Sequence, residues 1–175
     1  FKKLPKDRWK EVLQMAFAKQ FGNVEITGYE FMNLDEYDRE LVMNATAKVS
    51  SYATSAAGVL RIEEPIDRLE LMRNFGSLEK RSLPLSTGSP FIINQTYSIT
   101  LPEGVVSAVF PGKKKISSKY GSYFLSVKKR AGGWTIERKA TVPFQIVAPQ
   151  EYSEFVSFLK QVDDAENMSI EVKLR

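Results

Sequence analysis

Two short patterns in this chain place a nucleophile beside a base. Ser77-Leu78-Glu79-Lys80 and Ser157-Phe158-Leu159-Lys160 each set a serine three residues before a lysine, the spacing of acyl enzymes that attack through serine. The pattern fixes only two positions in four, so chance supplies it readily. The companion Ser-Asp-Asn and Lys-Thr-Gly motifs are absent from the chain. The sequence of 175 residues also holds no His and no Cys. No Cys–His or Ser–His pair can therefore be assembled, and no imidazole is present to move protons near neutral pH. The chain reads as non-enzymatic.

Metal chemistry is left with carboxylates alone. Two runs concentrate them, Asp35-Glu36-Tyr37-Asp38 and Asp163-Asp164-Ala165-Glu166. Calcium wants six or more oxygens from a shaped loop, usually with a glycine at the sharp turn. Neither run has that spacing or an internal glycine, so both read as solvated turns. No glycine-rich phosphate loop is present, and the reading assigns no metal and no cofactor. Asn44-Ala45-Thr46, Asn94-Gln95-Thr96 and Asn167-Met168-Ser169 match the glycosylation sequon.

The strongest binding signal is basic. Residues 113–139 hold nine Lys or Arg and a single acid, Glu137, while the net charge of the whole chain is only +4. Lys113, Lys114, Lys115, Lys119, Lys128, Lys129 and Arg130, with Arg138 and Lys139, are interleaved with Tyr120, Tyr123 and Trp134. Such a ribbon suits a polyanion, a glycan or a nucleic acid. Lysines also blunt exposed strand edges against aggregation. Trp134 and Tyr123 fall on apolar strand faces, which favours the blunting role over base stacking and disfavours a nucleic-acid partner.

These residues must be carried by a β-rich scaffold. Trp9, Val12, Leu13, Ala16, Phe17 and Phe21 recur at helical spacing, and Gly22-Asn23 stops the segment. Leu41, Met43, Ala45, Ala47 and Val49 alternate as one face of a strand. Val24 with Ile26, and Val59 to Ile62, give two shorter strands. Residues 66–91, punctuated by Gly76, Pro84, Gly88 and Pro90, read as an extended, loop-rich boundary region. Period-two alternation then marks strands at 93–101, 123–128 and 134–146, expected to pair as antiparallel neighbours. Turns are expected at Pro102–Gly104, Pro111-Gly112 and Ala131-Gly132-Gly133. Pro149 opens a second helix with Tyr152, Phe155, Val156, Leu159 and Val162 as its stripe. Ile170, Val172 and Leu174 give a last strand. The fold class is mainly β (α+β): an antiparallel β-sandwich-like domain with an N-terminal helix and a short C-terminal helix. Two parts are expected, 1–75 as a linking segment or small subdomain of helix and strands, and 76–175 as the sandwich-like domain. No run approaches the ~20 apolar residues of a membrane span, and no signal peptide is visible. The chain opens at Phe1 without Met, as an excised piece of a longer protein would.

Arg81 with Leu83-Pro84, the run Tyr97-Ser98-Ile99-Thr100-Leu101-Pro102-Glu103-Gly104, Phe110-Pro111, and Ile146-Val147-Ala148-Pro149-Gln150-Glu151-Tyr152 leading to Phe155 and Leu159 carry a resemblance. Over roughly 79–175 the chain resembles the uncharacterised C-terminal domain that follows the catalytic core in bacterial transglutaminase-like proteins. The resemblance implies a multidomain periplasmic or secreted protein whose chemistry lies upstream. The Cys, His and Asp of that core cannot be carried over, because two of the three residue types are missing here. It implies an accessory domain acting in interdomain packing or partner binding. Its partner would be the upstream domain of the same polypeptide, or another protein or a glycan. The alternative is a polyanion-binding module built on 113–139.

Overall fold

The computed structural model describes residues 4–36, 38–50, 52–100, 105–110 and 112–174. The chain is mainly β and forms two compact units, Phe1–Thr54 and Ser55–Arg175.

The first unit contains helix α1 (Trp9–Phe21) and strands β1 (Val24–Met32) and β2 (Val42–Val49), an antiparallel pair. Gly22 adopts φ 70° and ends α1, a left-handed conformation that glycine reaches without a Cβ clash. Among the described residues of this unit, Leu13, Val24 and Ile26 are the buried apolar ones. Gln14 pairs with the start of β1: Ile26 N–H donates to its Oε1 at 3.0 Å, and its Nε2 donates to the Val24 carbonyl. The strand expected at 41–49 is present, but its apolar face is half-buried only at the Ala47 and Val49 end. Leu41 is 53% and Met43 41% exposed, because a single helix cannot cover the length of a two-stranded sheet.

The second unit adds β3 (Thr54–Ala56), β4 (Val59–Ile62), α2 (Leu71–Phe75), β5 (Leu85–Ser86), β6 (Phe91–Thr100), β7 (Val105–Val109), β8 (Lys114–Ser118), β9 (Gly121–Arg130), β10 (Gly133–Val142), β11 (Ile146–Val147), α3 (Tyr152–Glu166) and β12 (Ile170–Leu174). One four-stranded sheet runs β6-β10-β9-β8 and another β3-β4-β12-β7. The expected division after residue 75 falls inside this unit, at the end of α2. The turn expected at Pro102–Gly104 and the residue Pro111 lie outside the described residues.

The expected neighbours 93–101, 123–128 and 134–146 do share a sheet, with β10 central and antiparallel to both β6 and β9. Gly132, at φ 71°, turns the β9–β10 hairpin. The third strand is shorter than its alternation implied. Pro143 supplies no N–H for a ladder, so β10 stops at Val142 and the chain re-pairs as β11 with β5. Phe144 and Ile146, which continue the alternation of Trp134 and Ile136 along the expected strand 134–146, are 59% and 67% exposed. Thr87 stitches this break, donating Oγ1 to the Pro143 carbonyl at 3.0 Å and accepting the Gln145 N–H at 2.9 Å.

One core fills the unit. Tyr123, Leu125, Trp134 and Ile136 enter it from the first sheet, Ile170 and Val172 from the second, and Tyr152, Phe155, Leu159 and Val162 from α3. Phe158 joins this helical stripe, while Val156 is only half-buried.

Candidate functional site

Arg138 follows Trp134 and Ile136 on the inward face of β10, and it is fully buried. A buried guanidinium must have its donors satisfied and its charge matched. Nη2 meets Asp67 Oδ1 at 2.6 Å and the Tyr97 hydroxyl at 3.2 Å, and Nη1 meets Glu166 Oε1 at 2.9 Å. Nε donates to Gln95 Oε1 at 3.0 Å, and the Asp67 carbonyl accepts a further bond from Nη1. The Glu166 side chain is 1% exposed. Its second oxygen accepts the Leu69 N–H at 2.6 Å. Asp163, one helical turn earlier, accepts the N–H groups of Leu71 and Met72, each at 2.9 Å, and so caps the first turn of α2. The second acidic run is thus no solvated turn. It lies on α3, where Asp163 grips the first turn of α2 and Glu166 grips Leu69 just before it. Burial pushes the Glu166 carboxyl up, against the pull of Arg138 and the Leu69 amide. Burial also holds the Tyr97 hydroxyl above the ordinary tyrosine value. Burial works against the Arg138 charge, but Tyr97, Asp67 and Glu166 outweigh it and hold the guanidinium above its ordinary value.

Strand parity sorts the rest of the basic ribbon. Along β9, Tyr123 and Leu125 point into the core, so Phe124, Lys128 and Arg130 stand on the opposite face. On β10, Lys139 shares that outer face and pairs directly with Phe124; on β8, Lys115 does the same from the other side. Lys113 joins them with its ammonium 5.2 Å from the Phe124 ring centre, within cation–π range. Lys128 binds Glu137 at 2.9 Å, and Arg130 donates to Thr100 Oγ1 at 3.2 Å. Lys114 and Lys129 sit in register with the core residues Leu125 and Trp134, but at exposed strand ends. Lys119 lies in the β8–β9 turn. Of the seven expected binding residues, Lys113, Lys115, Lys128 and Arg130 therefore share one surface, and Lys139 completes it.

The family model for a domain of unknown function with a solved structure, DUF3858, matches residues 64–172, more than half of the chain and nearly all of the second unit. The chain belongs to the DUF3858 family. A crystal structure from Parabacteroides distasonis, provisionally described as a protease, shares the fold at TM-score 0.52 and 21% identity, over 67% of this chain. The chain spans 24% of that structure's length. Among curated proteins none matches. The Arg138 cluster and the basic outer face both fall inside the DUF3858 region.

That region also holds an open groove of about 420 Å³ between the β8–β9 turn and α3, lined by Ile116, Lys119, Tyr120, Glu154, Ser157 and Phe158 among others. Ser157 lies here on α3, accepting a bond from Gln161 Nε2 at 3.4 Å; Ser77 is in an exposed loop after α2. Lys119 bridges Glu151 at 2.8 Å and Glu154 at 3.1 Å, and the Tyr120 hydroxyl donates to Glu154 Oε2 at 2.8 Å. The hydrogen bond from Lys119 holds Glu151 below its ordinary range. The Tyr120 hydroxyl, then Lys119, does the same for Glu154. Lowered carboxylate pKa values add stability above the ordinary carboxylate range, and it is lost as pH falls through the lowered values. The β8–β9 turn is therefore expected to loosen from α3 in acid before the β9–β10 hairpin does. An acid titration followed by NMR at Lys119 and Tyr120 checks this; turn signals that hold until the whole unit unfolds would contradict it. In the first unit, Asp35 and Asp38 lie exposed between β1 and β2, as a solvated turn does. Among the described residues no three acids converge as a metal-ligand group, and no helix is long and apolar enough to cross a membrane.

The Arg138 cluster is what the sequence reading missed. A charged residue in phase with Trp134 and Ile136 signals a buried ion pair, and continuing the helical period of Tyr152 and Leu159 brings Asp163 and Glu166 to the same side.

Proposed function

We propose that this chain is a non-catalytic accessory domain that follows a transglutaminase-like catalytic core in a bacterial periplasmic or extracellular protein, and that it acts by packing and binding. The observation that carries this reading is the use made of its interior charges. Arg138, Glu166 and Asp163 are spent on each other and on backbone amides, which is the chemistry of a scaffold. The free charge faces outward. Membership of a family of domains without assigned function, and a span of 24% of the solved relative, support a role as one part of a larger protein.

Purified chain assayed with casein, and with a glutamine peptide plus a primary amine, is expected to show no turnover across the accessible pH range, since nothing in it supplies a thiolate or an imidazole. Turnover that survives repurification and disappears in Ser77→Ala or Ser157→Ala would overturn the reading.

A further inference from the structure

We infer that the outer face of the β6-β10-β9-β8 sheet is a docking surface for an acidic polysaccharide. This deepens the accessory-domain reading by naming the class of partner. Five cations, Lys113, Lys115, Lys128, Arg130 and Lys139, stand on or over this one face, against one acid, Glu137, which is already held by Lys128 at 2.9 Å. Lys113, Lys115 and Lys139 make no ion pair with any described residue. From the Lys115–Phe124–Lys139 row to Arg130 is six residues of strand, about 20 Å at 3.4 Å per residue. The surface is thus long enough for several sugars.

Edge protection does not account for this arrangement. It requires charges on the edge strand, and β8 carries only part of the set. Lys128 lies on β9 beyond Leu125, the last residue that β8 pairs, whereas Lys139 lies on β10 with β6 on one side and β9 on the other. There a lysine protects no edge, yet its charge lines up across the sheet with Lys115.

The choice of a sugar chain over a nucleic acid rests on what lies between the cations. Single-stranded nucleic acids are held by several open aromatic platforms. This face offers Phe124 alone, half-buried, with Lys113 over its ring. Apart from the exposed Ile92 opposite Thr141, the remainder is short and polar: Asn94, Thr96, Ser98, Ser122, Thr135 and Thr141. Their hydroxyl and amide groups can both donate to and accept from sugar hydroxyls.

The test is a titration of the whole chain with heparin, and separately with a single-stranded DNA oligonucleotide, at several salt concentrations. Heparin binding is expected to persist near physiological salt and to exceed DNA binding. The Lys113→Ala/Lys115→Ala/Lys139→Ala variant is expected to lose at least about tenfold in affinity and to flatten the log–log salt slope by about 2–3, near one unit per lost contact. The control Lys19→Ala/Lys160→Ala/Lys173→Ala removes the same charge from α1, α3 and β12, and is expected to change neither. Equal losses in the two variants would reduce the effect to net charge and overturn the proposal, as would heparin binding that vanishes at physiological salt. Tighter binding of DNA would overturn the choice of polysaccharide. All six lysines are exposed, and thermal melts verify that both variants fold. Turnover in the activity assays above would remove the accessory-domain reading and leave this binding result to stand or fall by itself.

Discussion

Arg138→Ala is expected to destabilise the second unit by about 3–5 kcal/mol, the cost of removing one partner from a buried ion pair. Glu166, with its side chain 1% exposed, would keep its bond from the Leu69 amide but lose its counter-charge. Gln95, Tyr97 and the Asp67 carbonyl would each lose a donor, and a space the size of a guanidinium would open in the core. Arg138→Lys keeps a charge but loses the planar fork that reaches Asp67, Glu166 and Gln95 together, so an intermediate loss is expected. Urea unfolding checks both variants, with Trp134 reporting on this unit and Trp9 on the first. A midpoint for Arg138→Ala within experimental error of the parent would show that the cluster contributes nothing to stability. If Arg138→Ala cannot be purified folded, the Lys variant still decides the question.

Phe155→Ala is expected to cost about 3–5 kcal/mol, the range for truncating a large core side chain. Phe155 is fully buried on α3, and its ring meets those of Tyr120 at 5.4 Å and Phe75 at 6.4 Å, both edge-on. It therefore ties the β8–β9 turn and α2 to the same helix, and aromatic pairs of this geometry add to plain burial. A thermal melt of the whole chain reads the effect. A melting temperature that barely moves would show that α3 is not held by this core.

The two variants probe contacts of different legibility. Phe155 is visible in the sequence, because the stripe from Tyr152 to Val162 repeats every three or four residues and needs no knowledge of the partner surface. The β9–β10 hairpin is equally visible, through its alternation and Ala131-Gly132. Period two even put Arg138 on the face of Trp134. Its partners were out of reach. Asp67 precedes it by 71 residues and Glu166 follows by 28, and no local rule relates positions so far apart. The acidic run at 163–166 resembles a solvated turn because its charge density masks the helical phase that Asp163 and Glu166 share with Leu159 and Val162. The basic ribbon was legible as a charge excess; its division into an inner guanidinium, strand-end lysines and an outer face needed strand register. The break at Pro143 was written in the sequence, since proline cannot continue a central ladder, yet the alternation beyond it ran on convincingly to Ile146.

The clamp at the start of α2 also bears on how the sequence can drift. Asp163 and Glu166 hold the N–H groups of Leu69, Leu71 and Met72, and every residue except proline carries such a group. The bonds themselves accept nineteen of the twenty amino acids at those three positions. Leu69 and Leu71 are further restricted because their side chains are buried, whereas Met72 is half-buried and freer. Related sequences are therefore expected to vary at 72 while excluding proline, and to keep an acid at 163 and 166. The clamp itself places its selective burden on the helix that grips; in the gripped segment it excludes only proline, and burial alone restricts Leu69 and Leu71.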